Sequence, residues 1–147
     1  TTGYDLDPLA RKALQEIGLD YNHGTGHGVG HVLSVHEGPQ RISKVPNKYA
    51  IKPGMITSDE PGVYIEGEFG IRIENEILCR EADGNSGELY FEMLTLCPYE
   101  PEAIIAERLT EDEKSYLNEY HHMVYSKLAP LLDPEVREWL RNVTAAI

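Results

Sequence analysis

Residues 23–39, HGTGHGVGHVLSVHEGP, constrain the fold of this chain more than any other segment. They hold four of its six histidines, with glycines between them. Glycines at this frequency disfavour a regular helix, so the segment predicts a loop. Glycine lets side chains crowd around a small ion or substrate, and a neutral imidazole binds metals. A lone histidine more often satisfies a hydrogen bond, but four together favour a binding site.

Helices are predicted on either side of this loop by their capping residues. Asp7-Pro8 predicts an N-cap followed by the first helical residue, and Gly18 ends the apolar helical pattern. Near the C-terminus, residues 110–113 match a capping box, and Asp133-Pro134 repeats the pattern of cap and proline. The C-terminal part of the chain is therefore predicted to be helical.

Three apolar stretches, residues 55–60, 71–79 and 89–97, predict strands. The segment PGVYIEGEFG, between the first two, has the composition of a hairpin. The third stretch is apolar on both faces apart from Glu92, which predicts a central or covered strand. Together with the helices, these strands predict an α+β fold.

Two glutamates lie where these strands could bring them together. Glu60 ends the first strand, and Glu74 lies on the polar face of the second. If the strands pair antiparallel, both carboxylates can point into one cleft. Two carboxylates and one imidazole would suit Mn²⁺, Fe²⁺, Co²⁺ or Zn²⁺ better than a closed structural zinc site. Acidic residues at strand ends are also often only solvated, and spacing alone leaves both interpretations open.

Composition excludes several classes of function. The 147 residues suffice for one domain, and their net charge of −12 argues against a nucleic-acid partner. No apolar run approaches the ~20 residues that span a bilayer, and no signal peptide is visible. Cys79 and Cys97 lie in apolar runs without metal-ligand spacing, which predicts buried free thiols in the reducing cytoplasm.

Four longer motifs then occur in order: TGHGVG, VHEGP, DEPGVYIEGEFGIRIEN and LYFEMLTLCPYE. Together they resemble the C-terminal half of a Xaa-Pro aminopeptidase of the cytosolic type (aminopeptidase P). The resemblance implies the second half of a pita-bread (creatinase/aminopeptidase-like) fold over residues 1–98, an antiparallel sheet with helices. It implies a helical C-terminal extension, residues 99–147, packed on that domain. Prolidase, creatinase and methionine aminopeptidase share the broader fold, but the residues of these motifs favour aminopeptidase P.

The resemblance also implies a role for individual residues. It makes His27, Glu60 and Glu74 metal ligands, Glu60 a proton shuttle, His36 a hydrogen-bond donor near the scissile carbonyl, and His23, Tyr64 and Arg72 the pocket for proline. His31 receives no role. We expect Glu66, Glu68 and Glu76 to be solvated and leave Glu37 undecided.

The implied activity is a dinuclear-metal aminopeptidase that removes the residue before a proline in second position. Its two ions are expected to be Mn²⁺, with Zn²⁺ or Co²⁺ as alternatives, and the enzyme is expected to be a homodimer. The family's site also takes two strand aspartates N-terminal to this segment. Asp5, Asp7 and Asp20 lie at a helix cap and a loop instead. The chain therefore resembles a fragment that is inactive alone and binds one ion weakly or none.

Other interpretations remain open at this stage. The chain could belong to a non-catalytic pita-bread module that binds peptides or proteins, although such relatives lose metal ligands and His27, Glu60 and Glu74 are all present here. It could belong to a prolidase that cleaves dipeptides, or to a structural domain whose histidines only form hydrogen bonds.

Overall fold

The computed structural model describes residues 1–32, 34–82 and 87–147. Helices and antiparallel strands both occur, so the predicted α+β class is confirmed. The chain divides into two compact units, Thr1–Thr95 and Leu96–Ile147. None of the described helices is long and apolar enough to cross a membrane.

The first unit opens with helix α1, Gly3–Glu16. It begins earlier than predicted because Thr2 and Asp5 form the cap. The Asp5 carboxylate accepts hydrogen bonds from the Thr2 N–H at 2.7 Å and from the Thr2 hydroxyl at 2.8 Å. Pro8 lies inside the helix, and Asp7 is buried rather than acting as the cap. The predicted end is confirmed, since Gly18 follows the helix with a φ of 77°.

In the described ranges, the strands form three small antiparallel sheets. Strands β1 (Gly26–His27) and β2 (Arg41–Ile42) pair with each other. A second sheet consists of three strands in the order β3 (Ile56–Asp59), β6 (Asn75–Glu81) and β7 (Leu89–Met93). The third sheet is the predicted hairpin, in which β4 (Gly62–Ile65) pairs with β5 (Phe69–Arg72).

The stretch 71–79 was predicted as one strand, and this was wrong. Phe69–Arg72 pairs back on Gly62–Ile65, whereas Asn75–Glu81 pairs with β3 and β7. The chain changes partners at Ile73 and Glu74, which belong to neither strand. The alternation of polar and apolar residues continues through this point, so the sequence pattern does not reveal the break.

Strand β7 was predicted to be central or covered, and this was also wrong. It lies at the edge of its sheet, and Leu89, Tyr90 and Phe91 are 46%, 52% and 39% exposed. The two cysteines differ as well. Cys79 on β6 is a buried free thiol, as expected, but Cys97 is exposed. Apolar composition therefore did not distinguish covered from exposed positions in this region.

Arg11 on α1 anchors the start of the histidine-rich loop. Its guanidinium, 1% exposed, donates to Asp7 at 2.7 Å and to Asp20 at 2.7 Å. It also donates to the backbone carbonyls of Tyr21 at 2.8 Å and His23 at 2.7 Å. This buried cation therefore ties the helix to the loop that carries the first histidine.

The second unit is helical, as predicted. Helix α2 spans Glu111–Leu128, and the Thr110–Glu113 capping box is confirmed, with the Glu113 carboxylate accepting the Thr110 N–H at 2.8 Å. Helix α3 spans Pro134–Val143, and the Asp133 carboxylate caps it by accepting the Val136 N–H at 3.1 Å. Three short 3₁₀ helices, Pro101–Ala103, Ala106–Arg108 and Ala129–Leu131, complete the unit.

Candidate functional site

A cleft of about 490 Å³ lies in the first unit, beside the histidine-rich segment. It collects side chains from the loop, from β1 and β2, and from the ends of β3 and β5. Its lining residues are His23, Gly24, Gly26, His27, His36, Arg41, Ser43, Val45, Glu60 and Arg72. Five of the predicted site residues are among them, so the sequence motifs and the geometry select the same place.

The shortest contact between predicted metal ligands joins His27 and Glu60. Nε2 of His27 lies 3.2 Å from Oε1 of Glu60, and the two side chains are 22% and 12% exposed. Close approach of the backbones makes this contact possible, because a Cβ on Gly26 would lie 1.8 Å from the Ser58 carbonyl oxygen. Only glycine fits at position 26, immediately before the histidine.

The hydrogen bonds of His27 leave its metal-binding nitrogen available. Nδ1 lies 3.0 Å from the Gly28 carbonyl oxygen, and because a carbonyl only accepts, Nδ1 carries the proton. In the neutral ring, Nε2 then presents a lone pair to the Glu60 carboxylate. Two acceptors facing each other at 3.2 Å need a proton or a metal cation between them. These two residues therefore fit a divalent ion.

Ser58 supports this pair and was not singled out by the sequence analysis. Its hydroxyl, on a fully buried residue, donates to Oε1 of Glu60 at 3.0 Å and accepts the His27 backbone N–H at 3.0 Å. The available signal was strand periodicity, because Ser58 lies two residues before Glu60 and shares its face of the chain. The serine orients the carboxylate without being a ligand.

Glu74 reaches the same end of the sheet but not the same point. The β3–β6 register pairs Asp59 with Asn75, so Glu60 and Glu74 flank the end of one antiparallel ladder. The Glu74 residue is exposed. Within the described ranges, no three histidine, cysteine, aspartate or glutamate residues are placed to hold an ion. The structure thus brings His27 and Glu60 together, and Glu74 does not complete a group with them.

Glu76 was predicted to be solvated, and this was wrong. It pairs across the ladder with Ser58, and its Oε2 is buried with no hydrogen-bond partner among the described residues. Burial raises the pKa of its carboxyl, against a lowering by His27. The sequence did not reveal this, because the alternating pattern shows on which face of the strand Glu76 lies but not what covers that face. Glu66 and Glu68, at the hairpin tip, are exposed as expected.

The predicted proline-pocket residues form one chain of hydrogen bonds. Nε of Arg72 donates to the Tyr64 hydroxyl oxygen at 3.0 Å. Nδ1 of His23 donates to the Gly24 carbonyl at 2.8 Å, so its Nε2 accepts from the Tyr64 hydroxyl at 2.9 Å. Arg72 also lies 3.7 Å from Oε2 of Glu60. This series of hydrogen bonds therefore ends beside Glu60, a candidate metal ligand.

The two remaining loop histidines occupy different environments. The His36 ring lies 4.2 Å from the His27 ring, between centroids, and lines the cleft. Both histidines are exposed, but His31 does not line the cleft. Glu37, which was left undecided, is exposed as well. Of these residues only His36 is placed to act on a molecule bound beside His27.

Comparison with known proteins agrees with this geometry. The model of metallopeptidase family M24 matches residues 1–81, and the model of the C-terminal region of that family matches residues 87–147. The chain belongs to metallopeptidase family M24. It is 49% identical, over its whole length, to a probable Xaa-Pro aminopeptidase P of Coprinopsis cinerea, and 45% identical to aminopeptidase P1 of Lotus japonicus.

A solved structure identifies the fold within this M24 family. X-prolyl aminopeptidase from Caenorhabditis elegans, described as a cytosolic enzyme with a di-nuclear active site, matches all of this chain with a TM-score of 0.90 at 38% identity. The predicted second half of the pita-bread fold is thereby confirmed. The M24 chain spans 25% of the fungal relative, 23% of the plant relative and 25% of the nematode chain.

Proposed function

We propose that this chain is the C-terminal part of the catalytic region of a dinuclear-metal aminopeptidase. The enzyme would remove the N-terminal residue from peptides with proline in second position. The facing acceptors of His27 and Glu60, at 3.2 Å, carry this proposal, because they fit a divalent ion and line a cleft. The names of relatives at 49% and 45% identity support the choice of substrate.

His27, Glu60 and Glu74 would hold the ions, with Mn²⁺ as the proposed metal and Zn²⁺ or Co²⁺ as alternatives. One imidazole and two carboxylates are ligands that suit these ions. When bound, the ions would polarise the scissile carbonyl and make a water molecule nucleophilic near neutral pH. A second set of ligands is expected from aspartates outside these 147 residues.

The chain's own residues would do the rest of the chemistry. Glu60, oriented by the Ser58 hydroxyl at 3.0 Å, would take a proton and pass it towards the leaving nitrogen. His36, beside His27, would donate a hydrogen bond near the scissile carbonyl. The bond before proline offers no N–H for recognition, so the substrate is recognised by the shape of the proline ring.

The ring would be received by His23, Tyr64 and Arg72. Their hydrogen bonds hold the Tyr64 hydroxyl between the His23 imidazole and the Arg72 guanidinium, both of which line the cleft. The guanidinium lies 5.9 Å from the Tyr64 ring centroid, so the aromatic face and the cation are fixed relative to each other. A rigid pocket of this kind positions a rigid substrate at low entropic cost.

A polypeptide of these 147 residues alone would be catalytically inactive, because only part of the ligand set is present. Residues 1–98 would form the catalytic half-domain and residues 99–147 a helical extension packed on it. We further propose a homodimeric cytoplasmic enzyme. The reducing compartment is consistent with the free thiols at Cys79 and Cys97, and the nematode relative is described as cytosolic.

Calorimetric titration with Mn²⁺ tests the ligand assignment in this polypeptide. We expect weak binding to at most one site, and we expect Glu60→Gln and Glu74→Gln to weaken it at least tenfold, since each removes a charged ligand. Glu66→Gln, at the exposed hairpin tip, should leave the affinity unchanged. Equal affinity in all three variants would contradict the assignment.

Turnover of an Xaa-Pro-Yaa peptide tests the proposed inactivity of the isolated polypeptide. We expect no product above the rate without enzyme. Robust cleavage by these 147 residues would show that the His27–Glu60 site needs no further ligands.

A prolidase-type dipeptidase is the second candidate function. An Xaa-Pro dipeptidase from Bacillus anthracis matches 68% of this chain with a TM-score of 0.55 at 35% identity. The fuller match to the nematode aminopeptidase favours the first candidate. Affinity for Xaa-Pro dipeptides that exceeds affinity for Xaa-Pro-Yaa peptides would reverse this preference.

A further inference from the structure

Thr25 lies in the histidine-rich loop, midway between His23 of the proposed proline pocket and the candidate metal ligand His27. Its backbone carbonyl oxygen accepts the Glu60 N–H at 2.7 Å. This hydrogen bond joins the loop to the residue that follows strand β3. The position of the Glu60 backbone therefore depends on where Thr25 is held.

The Thr25 side chain is held by two hydrogen bonds inside the protein. Its hydroxyl, on a residue that is 1% exposed, donates to Oδ1 of Asp7 at 2.7 Å. Because a carboxylate only accepts, the Thr25 hydroxyl oxygen is left to accept the proton of the Tyr21 hydroxyl, 2.6 Å away. Threonine is β-branched and stiff at χ1, so two bonds to its hydroxyl also restrain the backbone that carries the carbonyl.

Helix α1 fixes the partners of Thr25. Asp7 and Arg11 lie one helical turn apart, each 1% exposed, and Nε of Arg11 donates to Oδ2 of Asp7 at 2.7 Å. The Arg11 guanidinium carbon also lies 3.8 Å from the centroid of the Tyr21 ring. Displacing either charge would leave the other buried without its partner, so the pair resists movement. The α1–loop network is the name used below for Asp7, Arg11, Tyr21 and Thr25.

We propose that Thr25 is a positioning residue for Glu60. The α1–loop network fixes the Glu60 backbone through the Thr25 carbonyl, whereas Ser58 orients the carboxylate itself. Together they hold Oε1 of Glu60 at 3.2 Å from Nε2 of His27. Metal ligands must be held within about 0.5 Å of their working positions, so Thr25 acts on metal binding without touching the ion.

This inference rests on the proposed function, which makes Glu60 a metal ligand, and it adds what holds that ligand in place. Two substitutions in the 147-residue chain test it. Thr25→Val keeps the size of the side chain but removes both of its hydrogen bonds, whereas Thr25→Ser keeps the hydroxyl. The two measurements are hydrogen exchange of the Glu60 amide by NMR without metal, and affinity for Mn²⁺ by calorimetry.

In Thr25→Val we expect the Glu60 amide to exchange about tenfold faster, because its acceptor is no longer held. The Cys79 amide, which donates to the Met55 carbonyl within the same unit, is the internal reference and should keep its rate. Affinity for Mn²⁺ should fall about tenfold, as is typical when a group that orients a ligand is lost. Thr25→Ser should keep both quantities near their wild-type values.

Thr57→Val is the matched control. Thr57 is also 1% exposed and lies three residues before Glu60, but its hydroxyl has no hydrogen-bond partner among the residues that the structure describes. The same substitution there should change neither the exchange rate of the Glu60 amide nor the affinity for Mn²⁺.

The inference is overturned if Thr25→Val leaves the Glu60 exchange rate unchanged, if the Cys79 amide accelerates equally, or if Thr25→Ser or Thr57→Val behaves like Thr25→Val. It is also overturned if Glu60→Gln weakens Mn²⁺ binding and Thr25→Val does not. Failure of the proposed function gives a different result. If wild-type protein binds no Mn²⁺, or if Glu60→Gln binds it equally well, the ligand assignment is contradicted, and the Glu60 exchange rate still decides whether Thr25 positions this residue.

Discussion

The two units of this chain bury different kinds of side chain. Among the residues of Thr1–Thr95 that the structure describes, the buried polar or charged ones are Asp7, Arg11, Thr25, Gln40, Ser43, Thr57, Ser58 and Asn75. The structure describes all of Leu96–Ile147, and there His121 is the one buried polar or charged residue. Its other buried residues are apolar or aromatic, among them Leu117, Tyr120, Val124 and Leu140.

The difference separates residues that orient a site from residues that stabilise a fold. In the first unit, Arg11 holds the His23 carbonyl, Ser58 holds Glu60, and the Thr25 carbonyl accepts the Glu60 N–H at 2.7 Å. Burying polar groups is costly unless they are hydrogen-bonded, so their presence around a cleft indicates a functional constraint. In the second unit, an apolar stripe at helical spacing is enough to explain the packing.

Removing the buried cation should produce the largest loss of stability. Arg11→Met leaves Asp7, 1% exposed, as a buried carboxylate without its ion pair. We expect the free energy of unfolding, from urea denaturation, to fall by about 3–5 kcal/mol. Lys12→Met, on an exposed neighbour of the same helix, should change it by less than about 0.5 kcal/mol. A loss of similar size in both variants would contradict the network's role.

Opening a cavity in the helical unit should lower the free energy of unfolding by about as much as Arg11→Met does, or slightly less. Leu140 on α3 is 1% exposed, and Leu140→Ala removes buried methyl groups. The expected loss is about 2–5 kcal/mol, depending on how far the site collapses. Leu131→Ala is the control. Leu131 is 79% exposed, so its truncation should leave the free energy of unfolding almost unchanged. If both variants lose equally, the second unit is not stabilised by its apolar interior.

The smallest effect should come from the buried histidine, as a dependence on pH. His121 accepts the Tyr99 N–H at Nε2, 3.1 Å away, and burial lowers its pKa below the ordinary value of 6.5. At higher pH the ring is neutral in both states and stability does not change. Below that value the unfolded chain takes up a proton that the folded ring resists, so the free energy of unfolding falls.

Urea denaturation between about pH 8 and pH 5 measures this effect. His121→Gln should flatten the decline on the acid side, even if the variant is less stable throughout. His122→Gln, on the exposed neighbouring histidine, should leave the decline intact. An unchanged slope in His121→Gln would assign the acid sensitivity to other groups and would weaken the contrast between the units.

Local features of this fold could be predicted from the sequence, and pairing between distant segments could not. The capping box at Thr110 and the cap at Asp133 are short-range patterns, and both helices begin where these patterns predict. The start of α1 was missed because Thr2 and Asp5 form a competing cap upstream of Asp7. The change of strand partner at Ile73–Glu74 depends on β3 and β4, which local periodicity cannot show.

The candidate site shows the same division. The motifs selected His27 and Glu60, which meet, and His23, Tyr64 and Arg72, which are hydrogen-bonded in a chain. Ser58, which contacts His27 and Glu60, was missed, and Glu76, which lies opposite Ser58 in the ladder, was misjudged. Their environments depend on cross-strand register, which the sequence does not show. Whether Glu74 joins the ligands stays a prediction, which the Mn²⁺ titration addresses.

The hairpin of Gly62–Ile65 and Phe69–Arg72 is hydrogen-bonded as a ribbon separate from the sheet that ends at Glu60. Its exposed tip, with Gly67 at a φ of 78°, can therefore accumulate substitutions without shifting the ladder beneath the carboxylate. Substitutions in this ribbon could therefore reshape the proposed proline pocket, to which it contributes Tyr64 and Arg72, and leave the His27–Glu60 pair in place.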